Sequence, residues 1–230
     1  MIWWSHLSAL GGLNVTALLA IAIAVWLLAA RCRRLALAWC LLFGAALAIA
    51  AASQMAFLGW GAGIRTLEFT GFSGHATRAA AVFPVALFLL LGKINPQGER
   101  RLRAGAVLAG ALLAVAVAAA RVKVGAHSSS EALAGCVLGL ATAGAFIARA
   151  LAPGVGARTH SPHPLLIGLL AATVLLPRAD PGYAHQWLTA AALKLSGRDR
   201  VYLRRDWQPA QGPYVPPCTP DKVRFDYLCT

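Results

Sequence analysis

Long apolar runs separated by short basic clusters constrain this chain more than any other feature. The runs are Leu13–Ala30, Leu35–Leu58, Thr77–Gly92, Ala104–Ala120, Ala132–Ala152 and the shorter Pro164–Leu176. Crossing about 30 Å of hydrocarbon takes roughly 20 residues as helix. In lipid the backbone must satisfy its own hydrogen bonds, so such runs are helices or nothing. Only 13% of residues are charged and 59% are hydrophobic, whereas a soluble domain carries about 25% charged residues. The sequence therefore predicts an all-α fold, a polytopic membrane helix bundle of about six spans. Pro164–Leu176 is short enough to be re-entrant or a half-span. The runs are rich in Ala and Gly, which lets helices approach closely in lipid. Residues 1–177 read as the bundle and residues 178–230 as a small extracytoplasmic tail.

The formal net charge is +13, yet the basic residues do not form the dense stripe of a nucleic-acid binder. They sit between the apolar runs, where they set orientation. Counting loops alternately, one face receives Arg31, Arg33, Arg34, Lys93, Arg100, Arg101, Arg103, Arg149 and Arg158. The positive-inside bias makes that face cytoplasmic. The other face receives the N-terminus, the 59–76 loop and the 121–131 segment, with Trp3 and Trp4 as an interfacial anchor. A cleaved signal peptide is not expected, because no basic region precedes the first run. Before the tail, the outer face still carries Arg65, Arg78, Arg121 and Lys123. These four break the orientation rule, and cations held at the end of a bundle point to an anionic ligand.

Two short segments converge on that outer face. Gly71-Phe72-Ser73-Gly74-His75 opens the third span, and Arg121 through His127 to Glu131 opens the fifth. His127 and Glu131 lie four apart, on one face of a helical turn, so the carboxylate can fix the imidazole tautomer. Phosphoryl transfer needs arginine forks and backbone donors on the phosphoryl oxygens. It also needs a nucleophile and a proton donor for the leaving oxygen. Two histidines, a carboxylate and several arginines meet those needs on one face. Ser128–Ser130 read as helix-start capping. His6, His160, His163 and His185 read as surface residues, and no His/Cys/Asp/Glu cluster has zinc spacing.

These segments resemble the type 2 phosphatidic acid phosphatase family, which includes lipid phosphatases and undecaprenyl pyrophosphate phosphatases. Phe72-Ser73-Gly74-His75 resembles the family's Pro-Ser-Gly-His motif. Ala120-Arg121 with His127 and Glu131 resembles its Ser-Arg, five residues, His, three residues, Asp motif. The resemblance covers about residues 60–150. It implies that His127 attacks phosphorus, that Glu131 orients it, and that His75 protonates the leaving oxygen. It implies phosphate binding by Arg121, Arg65, Ser73 and the Gly74 amide, with Arg78 and Lys123 as additional candidates. No metal or cofactor enters that mechanism, and the implied partners are a membrane lipid substrate and the bilayer. The family's first motif, Lys, six residues, then Arg-Pro, is incomplete: Arg65 stands for its Arg, Thr66 replaces the Pro, and Leu58 occupies the Lys position. The implied activity is hydrolysis of a lipid phosphate or pyrophosphate, undecaprenyl pyrophosphate first, at the periplasmic side of a bacterial inner membrane. A lipid phosphotransferase on the same site, or an inactive relative that binds anionic lipid, stay open as alternatives.

The tail has a different composition. Ala184–Leu195 alternates apolar and polar faces with helical spacing and reads as a helix for the outer leaflet. A Pro-rich run from Pro209 to Pro220 follows and reads as irregular chain placed to pack over the site. If Pro164–Leu176 spans and the tail lies outside the cytoplasm, Cys218 and Cys229 are expected as disulfide partners closing a short loop. An impermeant thiol reagent applied to intact cells is expected to label these two cysteines only after reduction. Labelling without reduction removes the disulfide, and no labelling in either state removes the outward tail.

Overall fold

The structure, a computed structural model, describes residues 2–91, 99–152 and 182–207. Among the described residues, seven α-helices follow in order: α1 (Ile2–Leu10), α2 (Leu13–Ala29), α3 (Arg33–Trp60), α4 (Gly74–Leu91), α5 (Glu99–Lys123), α6 (Ser129–Ala150) and α7 (Gly182–Ser196). Short 3-10 turns cover Arg65–Leu67 and Arg204–Trp207. Among the described residues, four stretches are long and apolar enough to cross a membrane: Trp3–Ala29, Arg33–Trp60, Arg100–Lys123 and Ser129–Ala150. Helix α4 is apolar but shorter. Six spans were expected, and the sixth, Pro164–Leu176, lies outside the described residues, as does the Cys218–Cys229 pair.

Helix α4 is the axis of the bundle. Ala76, Ala79, Ala80, Ala81, Val82 and Val85 have no exposed surface, because α2, α3, α5 and α6 all pack on it. Small residues make this possible. A Cβ on Gly110 of α5 would lie 2.6 Å from Cα of Pro84. One on Gly139 of α6 would lie 2.3 Å from the Thr77 carbonyl oxygen. With dispersion and close approach rather than hydrophobic exclusion driving association in lipid, these backbone contacts fix how α5 and α6 seat on α4.

A second cluster ties the far ends together. Trp39 of α3 stacks on Phe43 at 5.2 Å and meets Phe146 of α6 edge-on at 5.4 Å. Its indole N–H donates to the Ala20 carbonyl of α2 at 2.9 Å, the partner a buried indole requires. Arg31, Arg33, Arg34, Arg100, Arg101 and Arg149 are exposed at that end. The Arg78, Arg121, His75 and His127 set lies at the other, so the alternation counted from the sequence holds across the described helices.

Two elements differ from expectation. The chain before Gly11 is a separate helix, α1, that packs against α5 near the end carrying Arg121. Helix α7 packs against α3, a contact the sequence did not indicate. Gly59 allows this approach, since a Cβ there would lie 3.2 Å from the Ala192 carbonyl and from Cβ of Ser196. Expected to be decisive is Gly139→Ala beside Gly144→Ala, where nothing lies within 4 Å of the added carbon. Thermal unfolding in detergent should place the first about 1–3 kcal/mol below the parent and the second close to it. Equal melting would refute the backbone contact as a packing determinant.

Candidate active site

The start of α6 is built by local chemistry. Ser128 is its N-cap: the Ser128 side chain accepts from the Glu131 amide at 3.4 Å, and Glu131 accepts from the Ser128 amide at 3.2 Å. This capping box satisfies two end donors reciprocally. It also turns the Glu131 carboxylate back toward the preceding residue, where His127 Nδ1 lies 2.8 Å from Oε2. The Ser73 amide donates to the Glu131 carbonyl at 3.1 Å, so the start of α4 is stitched to the start of α6. Gly135 keeps the two helices close, since a Cβ there would lie 2.7 Å from the Ser73 carbonyl.

Glu131 has no exposed surface, and a buried carboxylate must be matched by donors. Oε1 accepts from the Thr70 amide at 2.7 Å and from the Thr70 hydroxyl. Oε2 accepts from His127 and the Ser128 amide, and from the Arg204 guanidinium at 2.5 Å. With Nδ1 of His127 donating to Glu131, the lone pair is on Nε2. The side chain is about one-fifth exposed and lines the cavity.

Two arginines gather beside the second histidine. Arg78 lies 3.4 Å from His75 Nδ1 and donates to the Gly11 carbonyl at 3.2 Å. Arg121 donates to the Ser8 hydroxyl at 2.9 Å. Helix α1 and the turn that follows it at Gly11 thus hold both guanidiniums. Nε of Arg78, Nε of Arg121 and Oγ of Ser73 are buried without a hydrogen-bond partner. Three such groups around one cavity are a feature to explain, because unmet buried donors are costly.

The cavity has a volume of about 430 Å³ and includes His75, Arg78, Arg121, His127, Glu131 and Arg204 in its lining. Gly74 also lines it, with Ser73 fully buried directly behind. Leu58, at the position where the family resemblance expects a lysine, is part of the wall. Arg65 and Lys123 do not line the cavity and are exposed: Arg65 sits in the short 3-10 turn, pinned by the Ile64–Phe69 bridge, and Lys123 ends α5. Sequence reasoning missed Gln54, Thr70, Ser8, Gly11 and Arg204, and treated His185, which lines the cavity, as surface only. Gln54 donates to the Phe72 carbonyl at 2.7 Å and so fixes the loop before Ser73.

Residues 54–152 match the PAP2 superfamily, a stretch that holds both histidines, Arg78, Arg121 and Glu131. The chain is also 46% identical over 115 residues to an "Uncharacterized 22.5 kDa protein in cps region" of Klebsiella pneumoniae. That alignment covers 50% of this chain and 53% of the relative, so the chain spans about half the length of the curated relative it matches. No solved structure matches the chain.

Glu131→Ala would leave the Thr70 and Ser128 amides, His127 and Arg204 without their shared acceptor. Stability is expected to fall by on the order of 3 kcal/mol, read as a lowered melting temperature in detergent. Glu131→Gln keeps the shape and should fall less. A Glu131→Ala variant melting with the parent would contradict the carboxylate's structural role.

Proposed function

We propose, for a chain whose residues 54–152 are a PAP2 superfamily domain, that it is a membrane phosphatase acting on a lipid phosphate or pyrophosphate. The observation that carries this reading is the His127–Glu131 pair, 2.8 Å apart, sharing one cavity with His75, Arg78 and Arg121. Arg78, Arg121 and the start of α4 hold the phosphoryl oxygens, using the unpartnered Nε atoms and the partial positive charge of a helix N-terminus. Nε2 of His127 attacks phosphorus, forming the N–P bond as the bond to the leaving oxygen breaks. Burial and the Arg78 and Arg121 guanidiniums disfavour a charged His75 in the free protein. The bound substrate's negative charge offsets them, and the ring protonated in that complex gives its proton to the leaving oxygen through Nε2, the nitrogen that Arg78 does not face. A water then attacks phosphorus and gives its proton to the now neutral His75, and the N–P bond breaks to release phosphate. Glu131 keeps its carboxylate on Nδ1 throughout and steadies the positive ring that forms.

The cavity lies at one end of the bundle, so a lipid head group reaches it without its tail leaving the hydrocarbon. An isoprenoid or simple glycerolipid phosphate is the candidate substrate, and undecaprenyl pyrophosphate is the first choice by family resemblance. The positive-inside bias puts the exposed arginines of the far end in the cytoplasm. The site then faces the periplasm in a bacterial inner membrane. Helix α7 lies beside Gly59, at the site end, which favours an outward tail.

One observation favours a second reading, an anion-binding relative without activity: Leu58 lines the cavity and brings no charge where the resemblance expects a lysine. Phosphate release from purified lipid phosphates and pyrophosphates separates the two. Wild type should turn over, His127→Ala should lose at least roughly 10³-fold in kcat, and Arg121→Ala about 10²–10³-fold. Activity surviving His127→Ala removes the nucleophile. Absence of release from every substrate selects the binding reading, and transfer to a second lipid without free phosphate selects a phosphotransferase.

A further inference from the structure

Beyond the PAP2 segment, a second arginine-bearing element reaches the cavity. Val201, Tyr202, Leu203 and Arg204 all line it, although they follow Glu131 by about seventy residues. The segment is seated in a defined register. The Tyr202 amide donates to the Leu58 carbonyl at 2.9 Å, at the end of α3. The Tyr202 ring rests on Gly61, whose φ of 71° closes α3, and a Cβ there would lie 3.1 Å from the ring. Trp207 meets Phe57 edge-on at 5.1 Å, and the Leu203 amide donates to the Asp206 carboxylate at 2.9 Å. Backbone, aromatic and turn contacts thus converge on one placement for Arg204.

That placement has chemical consequences. The NH2 group of Arg204 and Nδ1 of His127 bind the same oxygen of Glu131, so the guanidinium neighbours the nucleophile's ring. Its side chain is 40% exposed and faces the cavity, unlike a counter-ion buried only to neutralise a carboxylate. The α3 wall contributes Gln54, Phe57 and Leu58 to the cavity and no cation. Arg78 is held by the Gly11 carbonyl just after α1, and Arg121 by Ser8 of α1. A planar fork can bind Glu131 through one edge and present its remaining N–H groups to a second anion.

We propose that Arg204, delivered by the segment Val201–Trp207, is a further anion-binding residue of this site and contacts the phosphoryl group of the substrate. The proposal rests on the phosphatase reading for its substrate, but not for its test. Orthovanadate binding to the full chain in detergent, followed by calorimetry, reports anion affinity without turnover. Arg204→Ala should weaken vanadate at least about tenfold, the loss of one charge-assisted contact, and Arg204→Lys should restore part of it. In phosphate release the same substitution should act mainly by raising KM. Melting temperatures of both variants, with Arg204→Gln as a third, identify loss of fold, and the comparison is made on whichever variants stay folded.

Unchanged vanadate affinity in a folded Arg204→Ala or Arg204→Gln overturns the proposal. A fall in kcat with unchanged vanadate affinity overturns it too, because Arg204 would then act only by holding Glu131. If wild type binds vanadate but releases phosphate from no lipid, the phosphatase reading fails while the affinities still decide Arg204. If wild type binds no vanadate, both fail.

Discussion

A carboxylate with no exposed surface cannot stay charged inside a helix bundle unless several donors converge on it. In this protein those donors come from separated parts of the chain: Thr70 before α4, His127 and Ser128 before α6, and Arg204 after α7. Glu131 therefore acts as the point where the loop after α3, the helix pair α4–α6 and the C-terminal segment are brought into register. Its backbone carbonyl adds a fourth tie, to the Ser73 amide. The same atoms that stabilise the end of the bundle orient the His127 ring. Positioning of the His127 ring is in this sense a by-product of satisfying one buried charge.

The close approach of α4 and α6 is what allows those ties to form. With Gly135 and Gly139 facing α4, the helix backbones come into contact, and the segment 73–75 lies within hydrogen-bond reach of the segment 127–131. Larger residues would separate the helices and lengthen the Ser73–Glu131 bond before they disturbed any apolar contact. In lipid the packing gain from small residues is dispersion between backbones rather than exclusion of water. Geometry at the site and cohesion of the bundle thus depend on the same glycines.

How much of this was legible in the sequence follows the range of the interactions. The Ser128 cap and the four-residue spacing of His127 and Glu131 are local, and periodicity alone places them on one turn. The helices were legible from apolar runs, although α5 begins at Glu99 and runs to Lys123, beyond the apolar stretch, because helix continues after hydrophobicity ends. Arg204 was not legible: no spacing rule connects it with Glu131, and its segment is seated by Tyr202 and Trp207 on α3. Ser8 and Gly11 were hidden for the same reason, since α1 reads as an interfacial anchor until its packing on α5 places it over Arg121. Arg65 was named through a motif position, but the turn that holds it leaves its side chain in solvent.

The three buried groups without partners give these ties a direction. Arg78 and Arg121 each spend one N–H group on the N-terminal segment, at Gly11 after α1 and at Ser8 within it, and each keeps Nε unpaired. Ser73 is fully buried with its hydroxyl unpaired as well. A protein that needed these residues only for packing could replace them with apolar side chains and avoid the cost of the unmet donors. Retaining them is consistent with donors held in place by α1 and α4 for an anion that supplies the missing acceptors. Reorganisation on binding is then small, because the guanidiniums are already fixed through their other nitrogens, and preorganised donors are the ones that count most toward a developing charge.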